Sequence, residues 1–381
     1  MKTVITTVGT SLLENYRRNK ENFPKTEKFE YSISTKGLSV YQDFKEDLEE
    51  DGLVKKIKKY ALENFPNASA ELTSLQKIKE KYSNEDFIVY LLTSDTFEGY
   101  FVGEILKEVL EEKDFQVQDI RYIPYFNVQI NDRDLIRKGY KELIKYIYDK
   151  VYGYSEILNI TGGYKAFIPV MTIISNIKNI PLVYLFESSE YLIEIPPAPF
   201  KLDLSAIEKL TEIFEYIEKN TGIEENNPLL AKIKNNLSPQ EQQQIEYLFE
   251  EYENNILTTS LIGDILWEEF KEKQEIKLEQ CNLDYNQKVN NSNWGRHHGN
   301  DKVEHFGRRL LRNDYVCKII NSAEYEPNKS GFIVEIEPQN QTGVIKVKVP
   351  DEIYTLLVQT TGKNKRETSE IAKILEKEYG G

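Results

Sequence analysis

Two short segments carry small residues where a chain can grip an anion. TTVGTSLL (6–13) sets Gly9, Thr10 and Ser11 in one run, and LNITGGYKAF (158–167) sets Thr161, Gly162, Gly163 and Lys165 in another. Glycine lets the main chain approach a ligand closely, hydroxyls donate to phosphate oxygens, and a following helix N-terminus favours negative charge. Ser94 and Asp95 hold a comparable place after FIVYLLT (87–93). One such segment alone reads as a capped tight turn, whereas two that converge at one sheet edge read as a binding site. Neither is GxGxxG or a Walker A loop, so a dinucleotide or ATP is a poor ligand.

A second concentration of chemically able residues lies near the other end. All three histidines, His297, His298 and His305, fall within 297–305, and histidine titrates near neutral pH. Arg308, Arg309 and Arg312 follow on a predicted helix, and Lys363, Lys365 and Arg366 crowd one turn. Lys346 and Lys348 alternate with Ile345, Val347 and Val349, so the two lysines share a strand face, expected to be the open one. The bland reading makes these lysines the wet side of a sheet and the histidines part of a surface loop. No further ligand is spaced for zinc, so no metal site is expected.

The elements that must position these residues alternate in type. Strands are predicted at 2–8, 87–93, 115–123, 155–161, 181–187 and 191–195, with helices opening near Leu12, after Ser94, from Asp134 and after Gly163. A charged insertion with helical patches fills 38–82. Short apolar strands separated by helices imply a doubly wound, parallel α/β sheet over 1–197. PPAPF (196–200) is a stiff linker. Residues 203–289 read as a helical connector and dimerisation unit, with Ser238-Pro239-Gln240-Glu241 a capping box at a helix start. A winged-helix reading needs a recognition helix, for which LIGDILWEEFKEKQEI (261–276) is the candidate. Its four Glu and one Asp against two Lys suit DNA badly. Leu261, Ile265 and Trp267 are therefore expected to be core. Residues 290–381 read as a small α+β unit: a helix at 302–321, strands at 331–337, 343–349 and 353–361, and a helix from Glu367 to Tyr379.

Composition narrows the function classes. The 381 residues exceed one ordinary core, so two or three domains are expected. The net charge of −14 argues against broad duplex binding. Residues 290–381 hold 14 Lys plus Arg against 13 Asp plus Glu, a net of +1, which leaves −15 on the remainder. Cations suited to a long RNA are therefore richest in the last quarter. No signal peptide or membrane span is read, and Cys281 and Cys317, the only cysteines, are expected to be unpaired in a reducing cytoplasm.

TTVGTSLL followed by TGGYKAF in this order and context resembles the CARF domain, the CRISPR-associated Rossmann fold. The resemblance covers about 1–195. It implies a homodimer that holds a cyclic oligoadenylate, by default cyclic tetra-adenylate, against Gly9, Thr10, Ser11, Thr161, Gly162, Gly163 and Lys165 of both subunits, with Ser94 and Asp95 near by. Some domains of this family resemble ring nucleases that degrade their own signal, and there Lys165 can assist.

The C-terminal unit lacks the Arg-x(4–6)-His spacing of a HEPN ribonuclease, since Arg296 precedes His297 and His298 directly. VEIE (334–337) and VIKVKV (344–349) do not supply the Glu-x-Lys of a PD-(D/E)xK nuclease. EHFGRRLLRNDYVCKIINS, GFIVEIE, GVIKVKV and the final strand, basic turn and helix resemble the RelE/HigB toxin fold over about 302–379. That resemblance implies an mRNA interferase acting on ribosome-bound message without a metal cofactor. His298, His305, Arg308, Lys348, Lys363, Lys365 and Arg366 are its candidate catalytic residues. The alternatives are a ligand-gated transcription regulator and a ring nuclease with a structural tail.

Overall fold

A computed structural model describes residues 2–19, 52–83, 85–126, 132–151, 155–186, 191–198, 202–252, 255–293, 301–324, 334–336, 343–350 and 354–379. Six strands form the N-terminal sheet: β1 (Lys2–Thr7), β2 (Phe87–Ser94), β3 (Gln116–Ile123), β4 (Glu156–Asn159), β5 (Leu182–Leu185) and β6 (Leu192–Ile195). Their order is β3-β2-β1-β4-β5-β6, parallel throughout except for β6, which runs antiparallel to β5. Helices α1 (Ser11–Asn19), α2 (Leu53–Glu63), α3 (Ala70–Lys81) and α4 (Phe97–Glu111) cover one face, packing Leu12, Ile57, Leu72 and Phe101 with Val4 and Val89. Helices α5 (Arg133–Lys150) and α6 (Phe167–Lys178) cover the other, packing Ile147 and Met171 with Ile5 and Leu158. Strands walled by helices on both faces must be apolar on both, which is why their runs do not alternate.

The middle region is not purely helical, contrary to expectation. It runs α7 (Ser205–Lys209), α8 (Thr211–Asn220), β7 (Ile223–Glu224), α9 (Pro228–Asn235), α10 (Pro239–Leu248), β8 (Phe249–Glu251), β9 (Ile256–Thr259) and α11 (Leu261–Glu275). The strands form an antiparallel sheet in the order β7-β9-β8. Strands this short give no readable two-residue period, so flanking helical patterns hide them. The Ser238–Glu241 capping box is present at the start of α10. Trp267 of α11 stacks on Phe214 at 5.0 Å in the middle core, while Ile265 of the same helix enters the core beneath α5 and α6. One helix thus belongs to two cores.

The C-terminal unit comprises α12 (Tyr285–Asn290), α13 (Asp301–Leu310), β10 (Val316–Glu324), β11 (Val334–Ile336), β12 (Val344–Lys348), β13 (Tyr354–Thr360) and α14 (Lys365–Tyr379). Its antiparallel sheet has the order β10-β13-β12-β11. The helix expected over 302–321 stops at Leu310, and the rest of that segment is β10. Asn313 makes the break: its side-chain oxygen accepts from Tyr315 N at 2.9 Å, and its amide reaches Glu378 Oε2 at 2.9 Å. The Val-Cys-Lys-Ile-Ile run beyond it prefers a pleated surface.

Cys281 and Cys317 are joined in a disulfide across Cα atoms 5.6 Å apart, which overturns the expectation that they stand unpaired. The segment after α11 lies along the start of β10, where Cys281 N donates to Asp314 O at 2.7 Å. That juxtaposition is tertiary and leaves no trace in a spacing of 36 residues. Among the described residues no helix is long and apolar enough to cross a membrane.

Candidate functional site

Parallel pairing of β2, β1 and β4 brings three strand-end turns to one edge of the sheet. The turn after β1 and the turn after β4 touch main chain to main chain. A Cβ built on Gly9 would lie 2.7 Å from Gly163 N, and one on Gly163 would lie 2.6 Å from Thr7 Cβ. Gly163 also has φ +91°, a left-handed conformation that side chains rarely adopt. Both glycines are thus required by close approach.

Beneath the turns lies a polar network that sequence reading missed. Glu71 of α3 is fully buried, at 0 % exposure. Its Oε1 accepts from Gly9 N at 2.8 Å and its Oε2 accepts from Ser11 Oγ at 2.8 Å. A Cβ on Gly162 would fall 1.9 Å from Glu71 Oε1, so the second turn is moulded on the same carboxylate. Buried Asn159 at the end of β4 donates to Ser74 Oγ at 2.8 Å and to Thr6 Oγ1. Its Oδ1 accepts from Thr161 N and Thr161 Oγ1 at 3.2 and 2.7 Å. Thr7 Oγ1 donates to Gly162 O. A polar Asn closing the apolar strand EILN was a signal open to a sequence reader. Glu71 had none, being one of many charged residues in a helical insertion.

These bonds divide the expected ligand contacts. The Ser11 hydroxyl donates to Glu71 and accepts from Ala70 N at 3.1 Å. The Thr161 hydroxyl donates to Asn159 and accepts from Leu185 N at 3.0 Å. Both hold the turns together. Among the described residues the Thr10 hydroxyl reaches the exposed Glu14, at 3.4 Å. Lys165 is exposed just before α6 and makes no ion pair among the described residues. Ser94 faces Thr96 at 3.2 Å, and Asp95 accepts from Tyr100 OH at 3.1 Å and Tyr125 N at 3.4 Å. Burial and the Asp95 charge raise the Tyr100 phenol above its ordinary value, so it remains a donor. Asp95 thus braces α4.

Residues 66–198 match the CRISPR-associated protein family Cas_APE2256. The match begins just before Glu71 and includes the turns after β2 and β4, and it supports a CRISPR-associated setting in antiviral defence. No curated protein matches the chain.

The C-terminal candidates are not gathered in the same way. His305 and Arg308 are exposed one turn apart on α13, where Arg308 is engaged by Glu304 at 2.6 and 2.9 Å. Lys363 is exposed and pairs with Glu279 at 2.5 Å, and Arg366 pairs with Asp149 of α5 at 3.4 Å. Ile345, Val347 and Val349 point into the core shared with α13 and α14, as their alternation requires, so Lys346 and Lys348 lie on the other face. That face is not open: Lys348 is 8 % exposed and Lys346 half-buried. Alternation assigns a shared face but not its solvent access. The sheet therefore separates Lys348 from His305 and Arg308. Lys365 opens α14, though its side chain, like all of His297 and His298, lies outside the described residues.

Proposed function

We propose that the N-terminal sheet is the sensor of a cyclic oligoadenylate and that the C-terminal unit is a ribonuclease under its control. What carries the first part is the contact of the Gly9 and Gly162-Gly163 turns on adjacent parallel strands. Strand ends of an open α/β sheet are the usual ligand position, and helices α1 and α6 begin there. With the Ser11 and Thr161 hydroxyls committed within the protein, the ligand phosphates fall to main-chain amides, Thr10 and Lys165. In a homodimer, two such edges facing each other would enclose a ring-shaped tetra-anion.

The ribonuclease part rests on the near-neutral, histidine-bearing character of 290–381 against an acidic remainder. In the proposed reaction the ribose 2′-oxygen forms a bond to the adjacent phosphorus and the bond to the 5′-oxygen breaks. A base takes the 2′-OH proton, an acid returns one to the 5′-oxygen, and cations offset the transition-state charge. His305 suits the proton transfer, with Arg308, Lys363 and Arg366 as the accessible cations; buried Lys348 would instead support the sheet. Calorimetry with cyclic tetra-adenylate, followed by an assay of message cleavage on translating ribosomes with and without it, tests both parts. Absence of heat defeats the sensor, and intact message in the presence of bound ligand defeats the ribonuclease.

One observation favours a second reading. The middle region has the helix–strand–helix–helix–hairpin order of a winged helix, with Gln242 and Gln243 exposed on its later helix α10. A ligand-dependent shift of a DNA probe would support a transcription regulator. The hairpin opposes it, because Glu250 pairs with Arg133 and Arg137 of α5 at 3.4 and 3.3 Å and so turns towards the N-terminal domain, while Glu251 beside it is acidic and would repel phosphates.

A further inference from the structure

The first turn already holds an anion. Glu71 presents both carboxylate oxygens to Gly9 N and Ser11 Oγ, each at 2.8 Å. An N–H from a glycine turn and a hydroxyl at a helix start are the donors that grip phosphate elsewhere. The carboxylate is fully buried, and among the described residues it makes no ion pair. It reaches the turn from α3, outside the strand–turn–helix unit it supports, and Gly162 lacks a side chain where its Oε1 lies. Two effects of opposite sign follow. Its hydrogen bonds hold the turns in this shape, with Gly9, Thr10, Gly162 and Gly163 half-exposed. Its charge, poorly screened in the interior, repels any phosphate placed on the far side of the same main chain.

We infer that Glu71 is an affinity-setting residue of the nucleotide site, a resident anion that shapes the cradle while weakening its hold on the ligand. This rests on the proposed nucleotide reading of the turns. A sensor held below its maximal affinity would release its ligand as the signal falls and would respond over a higher concentration range.

The full chain and its Glu71→Gln and Glu71→Asp variants, titrated calorimetrically with cyclic tetra-adenylate, separate shape from charge. Glu71→Gln keeps the size and an acceptor for Gly9 N but removes the charge, and it should bind about tenfold or more tighter than the parent. Glu71→Asp keeps the charge and should bind no tighter. Equal or weaker binding by a folded Glu71→Gln chain overturns the inference, as does equal tightening by both variants. A Glu71→Gln chain that fails to fold also overturns it, because the carboxylate would then be a structural requirement. If the parent and Glu71→Gln both give no heat, the nucleotide reading itself is wrong; if the parent binds, only the role of Glu71 is at stake.

Discussion

The N-terminal and C-terminal candidate sites show how differently parallel and antiparallel sheets treat residues far apart in sequence. In the N-terminal sheet, β2, β1 and β4 point the same way, so every strand end reaches one edge. Turns some 150 residues apart then touch, as Gly9 and Gly163 do. In the C-terminal unit adjacent strands run in opposite directions, so consecutive strands deliver their ends to opposite edges of the sheet. Lys348 and His305 fall on opposite sides of one sheet. Parallel topology assembles a site from short motifs, whereas an antiparallel unit needs each residue placed individually.

The largest way to break this comparison is at the joint between the N-terminal sheet and the middle region that leads to the C-terminal unit. Lys178, the last residue of α6, is buried between Glu269 and Glu272 of α11, with its Nζ 2.8 Å from Glu269. Lys178→Met would take the buried cation from both carboxylates, leaving Glu269 the exposed Lys273 at 3.3 Å, and should cost about 3–5 kcal/mol. Burial raises the Glu272 carboxyl above its ordinary 4.5, while Lys178 opposes the rise. A carboxyl raised in the folded state adds stability below 4.5 and subtracts it as pH climbs through the raised value. The deficit of Lys178→Met in thermal melts should therefore be largest at neutral pH and shrink in acid.

Gly162→Ala tests the shared edge itself. Its Cβ would occupy the place of Glu71 Oε1, so the two turns must separate. A loss of about 2–3 kcal/mol in denaturant melts is expected, together with loss of cyclic tetra-adenylate binding. Retained affinity would show that the turns need not touch.

The C-terminal unit should respond instead to its staple. Cys281→Ser opens a closure spanning 36 residues and should lower stability by about 3 kcal/mol, with the midpoint shift matched by reducing the parent protein. The smallest structural effect belongs to His305→Ala. Its site is exposed, so stability should change by less than about 0.5 kcal/mol. Ligand binding should be unchanged and message cleavage weakened at least tenfold; unimpaired cleavage would remove His305 from the site.

Much of the first domain was readable because its signals are local. Apolar runs ending in Gly-Thr-Ser and Thr-Gly-Gly-Tyr-Lys marked strands, turns and the start of helices, and Ser238 to Glu241 marked the start of α10. Misreadings arose where the deciding partner was distant. Asn313 looked like one more helical residue until Glu378 and Tyr315 were beside it. Ser11 and Thr161 looked like free donors until Glu71 and Asn159 were seen to accept their hydrogen bonds.

By itself the amino-acid order determined the doubly wound class, the two glycine turns and the concentration of cations near the end. Those follow from periodicity, backbone freedom and charge, which act over a few residues. Tertiary structure alone decided that one buried carboxylate underlies both turns, that Cys281 meets Cys317, and that Lys348 is shut away from His305. Burial and pairing depend on which distant segments share a space, and no local pattern encodes that.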